Sequence, residues 1–159
     1  NAVGIDLSKS MVERSKKKYP NCYFKTGDIM KSFDGQKQLY THILCMYFTI
    51  YYIEDKTAFF KKCYKLLKSG GFLVLHLVDR NTFDPMISLS NPLLIVSPQS
   101  VAKKRITTSA VKFEGFQYKA NFKLDNKKNI GLFEEKIIYE NKKVRKNIHT
   151  FFTVLNNII

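Results

Sequence analysis

Asn1-Ala2-Val3-Gly4-Ile5-Asp6-Leu7-Ser8 opens the chain, and its reading decides the fold. A run of Ala, Val and Ile with no polar interruption predicts a strand buried on both faces. Asp6 stands at its carboxyl end, and the sequence turns straight into a helix. In open α/β sheets, ligands bind beyond the carboxyl ends of the strands. A carboxylate there can accept hydrogen bonds from two ribose hydroxyls: charged hydrogen bonds are stronger than neutral ones, and two oxygens are available. The plainer alternative is that Asp6 only caps the next helix. The rest of the chain favours the first reading.

Ser8 to Lys18 predicts a helix, capped by Ser8 or Ser10, with Ser10 and Glu13 at capping-box spacing. Lys16-Lys17-Lys18 fall at its C-terminus, where cations suit the helix dipole, and Pro20 stops it. Cys22-Tyr23-Phe24-Lys25 is a second short strand that runs into Thr26-Gly27-Asp28-Ile29. Such a loop can point a carboxylate and a backbone N–H together. An adenine edge offers the matching donor and acceptor, so Asp28 and the amide of Ile29 form a candidate base-reading pair.

Tyr40 to Tyr47 predicts a third strand, and Phe48 to Ile53 an aromatic-rich turn. Asp55 caps an amphipathic helix through Leu67, with Phe59, Phe60, Cys63, Leu66 and Leu67 on its apolar face. Gly70-Gly71 is expected to end that helix, and Phe72 to Val78 to form a fourth strand closed by Asp79. His76 in that strand reads as a core or ligand-edge histidine. Strands alternating with helices predict a parallel sheet with crossovers, a partial Rossmann-like α/β domain over residues 1–85. Asp6, Asp28, Cys45 to Tyr47 and Asp79 then share one edge of that sheet.

Residues 86–108, which hold Pro92 and Pro98, read as an irregular connection. Period-two alternation follows over residues 109–159. It predicts an antiparallel meander of three strands with one apolar and one basic face. A phase slip at Gly115 suggests a bulge in the first of these strands. Asp125-Asn126 and Asn141-Lys142-Lys143 are expected to turn the chain.

The totals bound the function. A chain of 159 residues with 45% hydrophobic and 14% aromatic content is a globular domain, with a small appendage at most. No run approaches the roughly 20 apolar residues of a membrane span. The net charge of +14 is spread along the chain rather than gathered in one arm. Abundant Lys, Asn and Ile fit an AT-rich genome; binding of a polyanion is the rival explanation. Cys22, Cys45 and Cys63 have no zinc spacing. They read as buried free thiols of a reducing, cytoplasmic compartment.

Val3-Gly4-Ile5-Asp6-Leu7-Ser8 with Met11, Gly27-Asp28-Ile29, the strand ending Cys45-Met46, and Leu66 to Val74 occur in an order and spacing that resemble the class I methyltransferases that use S-adenosylmethionine. The resemblance covers about half the chain. It implies that Asp6 holds the ribose hydroxyls, Leu7 and Met11 flank the adenine, and Asp28 and Ile29 read its edge. Cys45 and Met46 would line the methionine end, with no metal involved. The meander resembles the lid that some small-molecule methyltransferases insert, which covers the acceptor or makes a homodimer. His149, Tyr47 and Tyr51 are then the candidates for the acceptor pocket. Two departures stand out: the family's glycine-rich loop with its strand is absent, and Thr41 replaces a common acidic residue. The chain is therefore expected to be an internal fragment that is inactive alone. Two rivals are a nucleic-acid methyltransferase and a non-enzymatic basic binding module with a vestigial cofactor site. Against the first, the sequence has neither the Asn/Asp-Pro-Pro-aromatic tetrapeptide nor the Pro-Cys pair of the DNA enzymes.

Overall fold

The opening apolar run forms strand β1 (Val3–Asp6), which leads into helix α1 (Lys9–Lys18) and strand β2 (Tyr23–Thr26). The computed structural model describes residues 2–78 and 102–153. Asp79, most of the expected connection and Val154 lie outside the described residues. The chain divides into two units, residues 1–44 with 55–74, and residues 45–54 with 75–159.

In the first unit β1 and β2 are parallel, with Gly4 opposite Phe24 and Asp6 opposite Thr26. The Phe24 ring lies over Gly4, where a Cβ would stand 2.5 Å from Cδ1. Ser8 is the cap of α1: its hydroxyl accepts the Met11 N–H at 3.4 Å. The Ser10–Glu13 capping box does not form, because Ser10 pairs with the Ser8 hydroxyl at 3.0 Å and Glu13 faces Lys9.

Strand β3 (Tyr40–Cys45) pairs with strand β4 (Leu67–Leu75), and helix α2 (Lys56–Leu66) lies between them in sequence. The pair is parallel: Leu39 N–H reaches Leu66 O at 2.8 Å, and His76 N–H reaches Cys45 O at 3.0 Å. Asp55 caps α2, its carboxylate accepting the Ala58 N–H at 2.8 Å, and Phe59, Cys63 and Leu66 are buried. The helix does not run on to a glycine stop. It passes at Leu67 directly into β4, and Gly70-Gly71 lie inside the strand. Gly70 has φ +73, and a Cβ on Gly71 would stand 2.9 Å from the Thr41 carbonyl oxygen. These glycines thus serve a kink and a close backbone approach rather than a helix end.

The single parallel sheet expected from the pattern is instead two separate pairs, β1–β2 and β3–β4. Periodicity identifies strands but says nothing of their neighbours.

In the second unit a short 3-10 helix spans Thr49–Tyr52. Four antiparallel strands follow: β5 (Thr108–Phe113), β6 (Phe116–Asp125), β7 (Ile130–Tyr139) and β8 (Val144–Phe152). They pair in chain order. The expected first strand is thus two. Phe113 pairs with Phe116 across Glu114-Gly115, so Gly115 (φ +83) is a turn residue and not a bulge. A two-residue turn shifts the alternation just as a bulge would, which is why the phase slip misleads. The other turns fall where expected. Asp125 accepts the N–H groups of Lys127 and Lys128, and Asn141 accepts that of Lys143.

Tyr118, Ala120, Phe122 and Phe133 form the buried core of this sheet, with Phe113, Phe116, Ile137 and Phe151 packed against it. Cys45 and Cys63 are buried, but Cys22 is exposed, in the turn after α1, contrary to expectation.

Candidate active site

The first cluster belongs to the β1–β2 pair. Gly27 N–H bonds to Asp6 O at 2.9 Å, so Gly27-Asp28 leaves β2 beside the carboxyl end of β1. Asp6 and Asp28 therefore stand on one rim. Each makes the same local bond: Asp6 Oδ1 accepts the Ser8 N–H at 2.7 Å, and Asp28 Oδ1 accepts the Met30 N–H at 2.8 Å. Such Asx turns hold the carboxylates in place. Asp6 thus braces the residue that caps α1 and is not itself the cap. Leu7 and Met11, both apolar, are 75% and 53% exposed. Ile29 is half-buried. Lys62 of α2 pins the loop beyond Asp28, donating to Met30 O at 2.9 Å and pairing with Asp34 at 2.7 Å. Sequence reading missed Lys62, because nothing in its helix marks it as reaching a distant loop.

The second cluster lies in the other unit. Burial pushes the Cys45 thiol up, against a smaller lowering by the Ile50 backbone, which disfavours the thiolate. Met46 is 43% exposed, and its carbonyl accepts both the N–H and the hydroxyl of Thr49. Tyr47 and Phe48 are consecutive non-glycine residues with positive φ, 51° and 62°. Such backbone is strained, and strain of this kind clusters at functional sites. The Tyr47 and Phe48 rings both meet His76. Tyr51 has a structural bond pattern, its hydroxyl joining the N–H and the carbonyl of Val78 at 3.0 and 3.3 Å.

His149 is reached by neither Tyr47 nor Tyr51 among the described contacts. The phenol beside it is Tyr52, whose hydroxyl stands 3.4 Å from Nδ1. On its other side Nε2 lies 3.3 Å from Glu135 Oε2. Glu135 also accepts from the Tyr118 hydroxyl at 2.7 Å and from Asn147 Nδ2 at 3.4 Å. The rings of Phe133 and Phe151 stack on the imidazole. Register explains the assembly. Phe133 pairs with His149 and Glu135 with Asn147, so these side chains emerge on the core face of the sheet.

Burial raises the Glu135 carboxyl, but hydrogen bonds from Tyr118, Asn147 and His149 outweigh it and leave the group below its ordinary value. Burial, then the bond to Glu135 and its charge, push the Tyr118 phenol well up. Burial and the charge of Glu135 raise Tyr52 as well. Tyr52, Glu135, Tyr118 and Asn147 were missed in the sequence. The available signal was Glu135 itself, an acid on the apolar phase of an alternating strand. Among the described residues no group of three or more His, Cys, Asp or Glu could hold a metal ion. No described helix is long and apolar enough to cross a membrane.

Residues 1–71 match a family described as a methyltransferase domain. No curated protein matches the chain. Solved structures do. The CcbJ methyltransferase from Streptomyces caelestis is 12% identical with a TM-score of 0.68, over 96% of this chain and 57% of that one. An S-adenosylmethionine-dependent methyltransferase from Clostridium acetobutylicum is 17% identical with a TM-score of 0.67, over 98% and 59%. The sugar N-methyltransferase KedS8 from a Streptoalloteichus species is 15% identical with a TM-score of 0.61, over 97% and 57%. The chain thus spans less than two thirds of the length of these structures, and at such identities the likeness is one of fold.

Proposed function

We propose, on the premise that residues 1–71 match the methyltransferase-domain family, that this chain is the cofactor-holding part of an S-adenosylmethionine-dependent methyltransferase with a small-molecule acceptor. The observation that carries the reading is the pair Asp6 and Asp28 on one rim of the β1–β2 pair, within the matched segment. Asp6 would take the ribose hydroxyls, with Leu7 and Met11 along the adenine and Asp28 and Ile29 at its edge. Cys45 and Met46 would line the methionine end. The likeness to a sugar N-methyltransferase supports an amine acceptor on a small polar molecule.

Methyl transfer from a sulfonium is an in-line displacement. The acceptor nitrogen forms a bond to the methyl carbon as the carbon–sulfur bond breaks, and the nitrogen gives up a proton. The protein's task is to align the two atoms and exclude water. In this reading the acceptor pocket belongs to the second unit, with His149 and Tyr52 among its residues.

Calorimetric titration of the intact protein with S-adenosylhomocysteine tests the reading. Binding is expected, and Asp6→Ala should weaken it by about 10- to 100-fold, the value of a hydrogen bond to a charged group. Undiminished binding by Asp6→Ala would remove the proposed ribose contact. The net charge of +14 prompts one alternative, RNA as the acceptor. Steeply salt-dependent RNA binding would support that alternative.

A further inference from the structure

The Glu135 carboxylate can only accept hydrogen bonds, and that restricts His149. Three donors converge on it: Tyr118 on Oε1 at 2.7 Å, Asn147 on Oε2 at 3.4 Å and His149 Nε2 on Oε2 at 3.3 Å. Nε2 must therefore carry a hydrogen. In the neutral imidazole, Nδ1 is then the acceptor, and the group beside it is the Tyr52 hydroxyl at 3.4 Å. Phenol, imidazole and carboxylate stand in series, with the carboxylate more enclosed than the phenol: the Glu135 side chain is 22% exposed, while Tyr52 is 50% exposed.

We propose that Glu135, braced by Tyr118 and Asn147, is a positioning residue that fixes His149 in the Nε2–H tautomer and so poises the Tyr52 phenol to take a proton from the methyl acceptor. The identity of the proton donor rests on the methyl-transfer reading; the tautomer does not. When the acceptor releases its proton to the Tyr52 oxygen, the phenol proton passes to His149 Nδ1. The imidazole becomes imidazolium, and the Glu135 carboxylate stabilises it, as in the serine–histidine–aspartate arrangement. No proton is lost or created, and none need rest on Glu135. The groups facing the imidazole are Tyr52 from the 3-10 helix and Glu135 from β7; Tyr118 of β6 acts through Glu135, and Arg145 touches Asn147 on β8 itself.

The test is nitrogen-15 NMR of the histidine side chains in the intact protein at neutral to mildly alkaline pH. Wild type should show His149 with a protonated Nε2 and a bare, acceptor-type Nδ1. Glu135→Gln should abolish that single pattern, because an amide can donate as well as accept, and Glu135→Asp should restore it in part. Tyr52→Phe should keep the tautomer and shift the Nδ1 resonance alone, a result that stands even where the Glu135 variants fail to fold. A neutral His149 with its hydrogen on Nδ1 in wild type overturns the proposal, as does an unmoved Nδ1 resonance in Tyr52→Phe. Titration with S-adenosylhomocysteine reports separately: absent binding defeats the methyl-transfer reading, while the tautomer pattern decides this one.

Discussion

Glu135 shows how one side chain can tie stability to pH. Its carboxyl sits below its ordinary value of 4.5 in the folded protein, since hydrogen bonds favour the charged form more than burial opposes it. A depressed folded value means that the unfolded chain binds the proton more readily. The stabilisation is therefore present above 4.5 and is lost as the pH falls through the folded value. Glu135→Gln should lower the melting temperature at neutral pH, and the gap to wild type should narrow steadily in acid. A gap independent of pH would show that the bonds to Tyr118 and His149 do not act through charge. Tyr118 works at the other extreme. Its raised phenol favours the protonated folded state, so stability should fall as the pH climbs past 10, and Tyr118→Phe should remove that alkaline limb.

At the scale of elements, caps and glycines decide where helices and strands begin and bend. Asp55 accepts the Ala58 N–H, so Asp55→Ala should cost α2 about 1 kcal/mol, measured by denaturant unfolding. Gly4 is a sharper case. Any Cβ there meets the Phe24 ring at 2.5 Å, and the ring must leave its place across the β1–β2 pair. Gly4→Ala should destabilise the first unit by roughly 1–3 kcal/mol, the usual cost of overpacking. An unchanged unfolding midpoint would mean that Phe24 moves freely. Strand identity and helix caps at Ser8 and Asp55 were legible in the sequence, because local chemistry sets them. The end of α2 was not. Gly70-Gly71 carries the residue types of a helix stop, yet the chain is already extended at Leu67.

For the whole chain the governing quantity is its charge. With a net charge of +14, the folded state works against its own repulsion. Raising the salt from low concentration to about 0.15 M shortens the screening length to about 8 Å. The melting temperature should rise over that range, and RNA binding, if present, should weaken over the same range. A melting temperature that falls with added salt would point instead to stabilising surface ion pairs such as Lys146–Glu134.

The sequence by itself determined the alternating strands and helices, the caps, the two acids Asp6 and Asp28 at strand ends, and the resemblance that residues 1–71 bear out. Those features depend on residues close together in the chain. Only the tertiary structure decided that the parallel strands form two pairs, that Gly115 turns a hairpin, and that Tyr52 rather than Tyr51 meets His149. Each depends on which strand lies beside which, and in what register. A shift of one residue moves every side chain to the opposite face, so the meeting of Glu135 with His149 could not be read from spacing alone.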